Sequence, residues 1–366
     1  MRVVIAAGGT GGHIFPALAL ADRLVRDHGA EVRFVGTSDG QEATRVPAAG
    51  YRFDAVRALP FRREVSWRAA KAPGVALRSA QACRPLVRGA DVAVGMGGYA
   101  SVPAMLAARR DRVPIVLHEA NAVPGLATRL LARFAAAIAV AFHDVRRLLP
   151  GRSRVELIGY PVRDAILGVS EHRAALGEEA RETLALEGVR PTVLVWGGSQ
   201  GALHLDRVVA EALPSMGERQ DLQLLVLTGP AHERVVARPA TGATGVRVLP
   251  FLDRMELAFA VADLVVSRAG ATAIAEQTVC GLPAILVPYP HATENHQEAN
   301  ARELEREGAA EVVHDAALTP EVFSDRVHAL LDDPARLSSM AASARAWSKP
   351  DAAERFGSLV AEVGKR

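Results

Sequence analysis

Cysteine is scarce in this sequence. Only Cys83 and Cys280 are present, which leaves no disulfide framework and fits a reducing compartment. An excess of one charge sign is lacking too. Lys and Arg total 43 against 41 Asp and Glu, a formal net charge of +2, so composition makes no global case for nucleic-acid binding. No apolar run approaches the ~18 residues of a membrane-spanning helix; even Leu130 to Phe142 is broken by Arg133. Met1-Arg2 is followed only by Val3 to Ala7 before the first glycine, too short for a secretion signal. These absences predict a cytoplasmic protein that at most touches a membrane surface. Several ligand motifs are missing as well. No Asp-x-Asp pair occurs, so a metal-dependent diphosphate site of that kind is unsupported. The phosphate loop with its lysine is absent, and no Gly-x-Gly-x-x-Gly is followed by an acidic residue ~20 positions on. His291, Glu294 and His296 are close in sequence but complete no closed ligand set, so neither metal nor cofactor is expected.

What is present is a repeated unit. The 366 residues, 49% of them hydrophobic and 23% charged, suit two globular domains. Short apolar runs alternate with helical patterns. Strands are predicted at 3–7, 32–35, 92–94, 115–117 and 137–140, then at 193–195, 224–227, 246–249, 264–266 and 285–287. Continuous apolar strands argue for parallel sheets covered on both faces. Gly8-Gly9-Thr10-Gly11-Gly12-His13 follows the first run, and Ile14, Ala17, Leu18, Ala21 and Val25 follow it at helical spacing. Pro16 is expected in the first turn of that helix, where its missing N–H costs nothing. Gly197-Gly198-Ser199-Gln200-Gly201 repeats the same Gly-Gly-hydroxyl-x-Gly spacing before the helix face Leu205, Val208, Val209 and Ala212. The fold expected is α/β: two Rossmann-like domains facing across a cleft. The first covers 1–160, the second 161–349, and a last amphipathic helix at 350–366 packs back on the first.

Each strand end offers candidate chemistry. Free helix N–H groups beside a glycine turn suit an oxygen-rich ligand; tight packing alone is the other reading. His13 places a titratable group at the mouth of the first turn. Gly95 to Tyr99, and His118-Glu119-Ala120-Asn121, follow strands of the first half, where open α/β sheets bind ligands; loop chemistry explains them equally. Ser267 to Glu276 reads as strand, turn and helix start. Glu276 then either takes a ribose diol or is a solvated glutamate near a helix N-terminus. His296 and Gln297, after the strand 285–287, suit sugar hydroxyls. From Arg57 to Arg88 the chain carries Arg62, Arg63, Arg68, Lys71, Arg78 and Arg84 among Phe61, Trp67 and Leu77, with Glu64 the only acid. That mixture fits an anionic lipid surface, or a solvated helix pair.

Taken together, Gly8 to Pro16, Gly95–Ser101, His118–Asn121, Pro161-Val162-Arg163, Gly197–Ala202, Ser267–Glu276, Asn295-His296-Gln297 and Pro350 to Arg355 resemble the MurG family over nearly the whole chain. These are UDP-N-acetylglucosamine transferases acting on undecaprenyl-diphosphate-linked N-acetylmuramoyl-pentapeptide. Tyr160, Ala120 and His296 depart from residues frequent in the family. The resemblance implies a glycosyltransferase B fold and an inverting transfer of GlcNAc to the acceptor's 4-hydroxyl, the lipid I to lipid II step of peptidoglycan synthesis. It implies donor contacts by Thr10, Gly11, Gly12, Asn121, Arg163, Ser199, Leu252, Ala271, Thr272, Ala273, Ile274, Ala275, Glu276 and Gln297. His13 is the candidate general base with Glu119 as runner-up, and Tyr99 and His118 lie on the acceptor side. The expected partners are UDP-GlcNAc, the lipid-linked acceptor and, through Arg57 to Arg88, the inner face of the cell membrane. The alternatives are a UDP-GlcNAc 2-epimerase of the same architecture and a UDP-sugar-binding module without chemistry.

Overall fold

The computed structural model describes residues 1–8, 11–58, 67–150, 153–188, 190–216, 219, 221–232, 235–236 and 245–365, the side chains of 67–73 and 75–77 excepted. The chain forms two compact units. One comprises Met1–Arg163 with Lys349–Arg366, the other Asp164–Ser348.

Among the described residues the first unit has seven strands: β1 (Arg2–Ala6), β2 (Glu31–Gly36), β3 (Arg52–Ala55), β4 (Val92–Gly95), β5 (Ile115–Glu119), β6 (Ala137–Val140) and β7 (Arg154–Leu157). They form one sheet in the order β3-β2-β1-β4-β5-β6-β7, and every pairing is parallel. The apolar runs are buried on both faces: Val3, Ile5, Val92 and Val94 share one core with Leu20, Leu24, Phe34, Phe356 and Val360. Leu20 and Leu24 come from the Gly11–His28 helix, and Phe356 and Val360 from the final helix, Ala352–Gly364. These two helices pack against each other, so the C-terminal segment completes the first unit's core.

The second unit repeats the plan with β8 (Thr192–Trp196), β9 (Gln223–Leu227), β10 (Gly245–Leu249), β11 (Leu264–Ser267), β12 (Ala284–Leu286) and β13 (Ala310–Val312). Their order is β10-β9-β8-β11-β12-β13, again all parallel. Val193, Val195, Leu224, Val226 and Val266 pack beneath Leu205, Val208 and Val209 of the Leu203–Met216 helix.

This order decides where a site forms. In each sheet the strand order reverses between the first strand and its neighbour, β1 beside β4 and β8 beside β11. The crevice at the carboxyl ends of such a pair is where open α/β sheets take ligands. Both glycine turns leave from that point.

Two sequence expectations change. Pro16 sits in the second turn of the Gly11–His28 helix, where its missing N–H leaves the Gly12 carbonyl without its helical donor. The Tyr160 hydroxyl donates to that carbonyl instead, at 3.0 Å. Pro161 to Arg163, expected to open the second domain, fall in the first unit. The Tyr160 bond holds that stretch, and so does Phe15, over whose ring the Arg163 guanidinium lies at 4.8 Å.

Candidate functional site

At the carboxyl edge of the first sheet, the turn after β4 is cut to fit His13. Gly97 and Gly98 adopt φ of 88° and 69°, which side chains rarely tolerate. A Cβ on Gly97 would lie 3.3 Å from His13 Nε2, and one on Gly98 3.2 Å from His13 Cε1. The half-buried imidazole therefore packs flush on bare backbone. Gly11 and Gly12 form the helix's first turn beside it, and Tyr99 is half-buried on the next helix, Gly98–Arg110. Gly9 and Thr10 lie outside the described residues.

Glu119 and His118, at the end of β5, are enclosed. The Glu119 carboxylate accepts the Asn121 amide at 3.2 Å on one oxygen and the Gly125 amide at 3.0 Å on the other. Burial pushes its pKa up, against hydrogen bonds from Thr128, Asn121 and Gly125 that lower it. Its geometry is that of a clamp on the segment 120–128, so taking a proton would cost it amide partners. His118 is 1% exposed. Its Nε2 donates to the Gly159 carbonyl at 3.3 Å, its ring stacks on Phe356 at 5.3 Å, and Tyr160 meets it edge-on at 6.0 Å. Burial takes its pKa down to about 4, with the neighbouring His13 adding to the fall, so the ring is neutral at neutral pH. Expected on the acceptor side, His118 instead lies inside the first unit and braces Gly159-Tyr160, which in turn holds Gly12.

In the second unit, the loop after β8 closes on the loop after β9. A side chain on Gly201, whose φ is 76°, would collide with the Thr228 carbonyl, and a Cβ on Gly229 would sit 2.6 Å from the Gly201 amide nitrogen. Ser199 stands exposed at the tip of this loop. Leu252 is half-buried beside the exposed Phe251. Ala271 to Glu276 belong to the Ala271–Val279 helix. All are buried except Thr272, so a ligand there meets Thr272 and backbone first. Gln297 Oε1 accepts the Tyr289 amide at 2.9 Å, which leaves its amide nitrogen to donate outward. His296 Nδ1 donates to the Thr293 carbonyl at 2.7 Å, and burial lowers its pKa. Among the described residues no group of His, Cys, Asp and Glu could hold a metal ion.

Sequence reasoning passed over three side chains. Arg268 is buried after β11, donates to the Val287 carbonyl at 3.2 Å, pairs with Asp315, and lies 5.6 Å from the Tyr289 ring. Its signal was present: an arginine in the turn Ser267-Arg268-Ala269-Gly270. Asp206 and His232 meet at 3.2 Å beneath the glycine loop. Asp206 interrupts the apolar face that continues through Leu205, Val208 and Val209, and that was its only sequence signal.

Comparison with known proteins agrees with this anatomy. Residues 3–140 match the glycosyltransferase family 28 N-terminal domain, and residues 192–356 match its C-terminal domain. A UDP-N-acetylglucosamine--N-acetylmuramyl-(pentapeptide) pyrophosphoryl-undecaprenol N-acetylglucosamine transferase of Halothermothrix orenii is 39% identical, with 100% of each chain covered. One of Clavibacter michiganensis is 43% identical, covering 98% of this chain and 96% of that one. The crystal structure of Acinetobacter baumannii MurG superposes with a TM-score of 0.77 at 28% identity, covering 99% of both chains. The chain belongs to the MurG family. The UDP-GlcNAc 2-epimerase of Neisseria meningitidis also superposes, with a TM-score of 0.71 over 99% of this chain and 100% of that one, but at 11% identity. That likeness is one of fold alone, and the epimerase alternative is not favoured. MurG membership also gives context to the Tyr160 bond. The departure at Tyr160 still places a hydrogen-bond donor on the carbonyl that Pro16 orphans.

Proposed function

We infer that this chain is an inverting glycosyltransferase that moves N-acetylglucosamine from UDP-GlcNAc to the 4-hydroxyl of the undecaprenyl-diphosphate-linked N-acetylmuramoyl-pentapeptide. The observation that carries the reading is full-length identity to named transferases, joined to a glycine turn at the switch point of each sheet. The donor is assigned chiefly to the second unit. Its diphosphate lies on the Gly197–Gly201 loop with Ser199, where the backbone N–H groups of a glycine turn favour anions. Uracil lies beside Leu252, and the ribose lies over Ala271 to Glu276, with Gln297 donating to the sugar. On the first unit, Gly11, Gly12, Asn121 and Arg163 complete the donor contacts, Tyr99 faces the acceptor, and His13 takes the proton from the attacking hydroxyl. The test is incubation with UDP-GlcNAc, with and without the lipid-linked acceptor. UDP release that requires the acceptor is the expected result. Formation of UDP-ManNAc, or no turnover, would count against transfer.

The membrane contact is proposed for the first unit. No helix among the described residues is long and apolar enough to cross a bilayer. Of the basic segment Arg57 to Arg88, the stretch with Arg62 and Arg63 lies outside the described residues, as do the side chains of Arg68 and Lys71. Arg84 is held by Asp111 at 2.7 Å, so its charge is already paired. A neighbouring surface supports the proposal further. The Gly98–Arg110 helix packs between the Trp67–Val87 and Leu126–Leu131 helices. There Leu126 is 48% and Leu130 40% exposed, beside the exposed Arg109, Arg129 and Arg133. Apolar side chains ringed by arginine suit the headgroup region of an anionic leaflet. Each arginine near such a surface contributes ~1 kcal/mol, screened by salt. Replacing Arg109, Arg129 and Arg133 by Glu should weaken binding to anionic vesicles on the order of a hundredfold or more. Co-sedimentation at two salt concentrations checks this; equal binding to neutral and anionic vesicles would remove the proposal.

A further inference from the structure

The Asp206–His232 pair has no role in the reading above. Asp206 is in the first turn of the Leu203–Met216 helix, directly after the loop assigned to the diphosphate, and is 1% exposed. Neither carboxylate oxygen completes a well-formed hydrogen bond, and His232 Nδ1 shares that condition, although the two groups approach to 3.2 Å. A buried carboxylate so poorly served is costly unless a cation stands beside it. The side chain beside it is His232, from the loop after β9 and packed directly on Gly201: a Cβ there would lie 3.0 Å from His232 Nδ1. The His232 side chain keeps 22% of its surface exposed. Its Nε2 has no protein partner among the described residues.

We propose that His232, held by Asp206, contacts the donor's diphosphate through Nε2, and that a proton shared by the pair controls donor affinity. The inference rests on the diphosphate lying on the Gly197–Gly201 loop. Its electrostatics follow from the charges around Asp206. Burial raises the Asp206 pKa to about 6, while His232, the Ala202 amide and Arg268 lower it. Arg268 is itself balanced by Asp315, whose carbonyl accepts from His204 Nε2 at 3.0 Å. With one proton between them, the pair carries no net charge beneath the ligand. Once that proton is lost, a bare carboxylate lies under a loop that must hold a dianion. Donor affinity therefore falls as pH rises and that shared proton is lost.

The experiment is calorimetric titration of UDP-GlcNAc into the whole chain, at about pH 6 and about pH 8.5. UDP-GlcNAc is the right probe because both ends of its diphosphate are esterified, so the diphosphate's charge stays constant over this range. The parent's Kd should rise roughly tenfold between the two conditions. Asp206→Asn and His232→Gln together should flatten that dependence to less than about twofold, and each alone should move it to a different pH. His232 is at the surface, so its variant reports even if loss of Asp206 unsettles the fold. Variants that keep the parent's pH slope would overturn the inference and leave the donor reading standing. Variants that weaken binding equally at both pH values would reduce the pair to a structural tie, which also overturns it. No binding of UDP-GlcNAc by the parent would overturn the donor reading itself.

Discussion

His13→Ala should lower kcat by about 10²–10⁴-fold and leave UDP-GlcNAc affinity nearly intact. A sugar hydroxyl is a poor nucleophile until a base takes its proton. An imidazole exchanges protons near neutral pH, and the first unit is arranged around this one. Its turn has glycine at 97 and 98, both at positive φ and both within van der Waals reach of the ring. Its helix is pinned at the Gly12 carbonyl by Tyr160. Glu119 is the poorer base on geometry, because its two oxygens are engaged by the Asn121 and Gly125 amides. Steady-state kinetics with varied donor and acceptor check the prediction. A variant with near-normal kcat and lost donor affinity would make His13 a binding residue, and Glu119→Gln would then be the next test.

Phe356→Ala should destabilise the first unit by about 3–5 kcal/mol, the usual cost of truncating a fully buried aromatic. Phe356 is fully buried and belongs to the core that joins β1, β4 and the Gly11–His28 helix. It also carries the His118 ring, whose Nδ1 is buried without a partner. The cavity would loosen that histidine and, through Gly159 and Tyr160, the turn that presents His13. Chemical denaturation followed by calorimetry should show an earlier transition for the first unit and an unmoved one for the second. Because two units unfold, a single two-state fit is inappropriate. A loss under about 1 kcal/mol would mean that the C-terminal helix does not complete this core.

The buried strands were legible because a parallel strand covered on both faces reads as an unbroken apolar run. The strands that escaped notice, β3, β7 and β13, are all at sheet edges. Arg52, Asp54, Arg154, Glu156 and Glu311 interrupt them, since an edge strand can leave side chains in water. The glycine turns and His13 were legible because strand, turn and helix follow one another in sequence. Tyr160 on Gly12 and His232 on Asp206 were not. Each depends on segments brought together only by the fold, and no local pattern marks the partner. Pro16 illustrates the same limit. The bond that its ring removes in the second turn is replaced by one from a hydroxyl 144 positions later in the chain.

The account's central claim is a glycosyl transfer with inversion onto a lipid-linked sugar, and the product tests it most directly. The lipid recovered after reaction with UDP-GlcNAc should carry one added N-acetylhexosamine by mass spectrometry. Its new anomeric proton should show the large coupling of a β-linkage to the 4-position in NMR. An α-linkage would contradict inversion. An unmodified lipid beside epimerised nucleotide sugar would contradict transfer altogether.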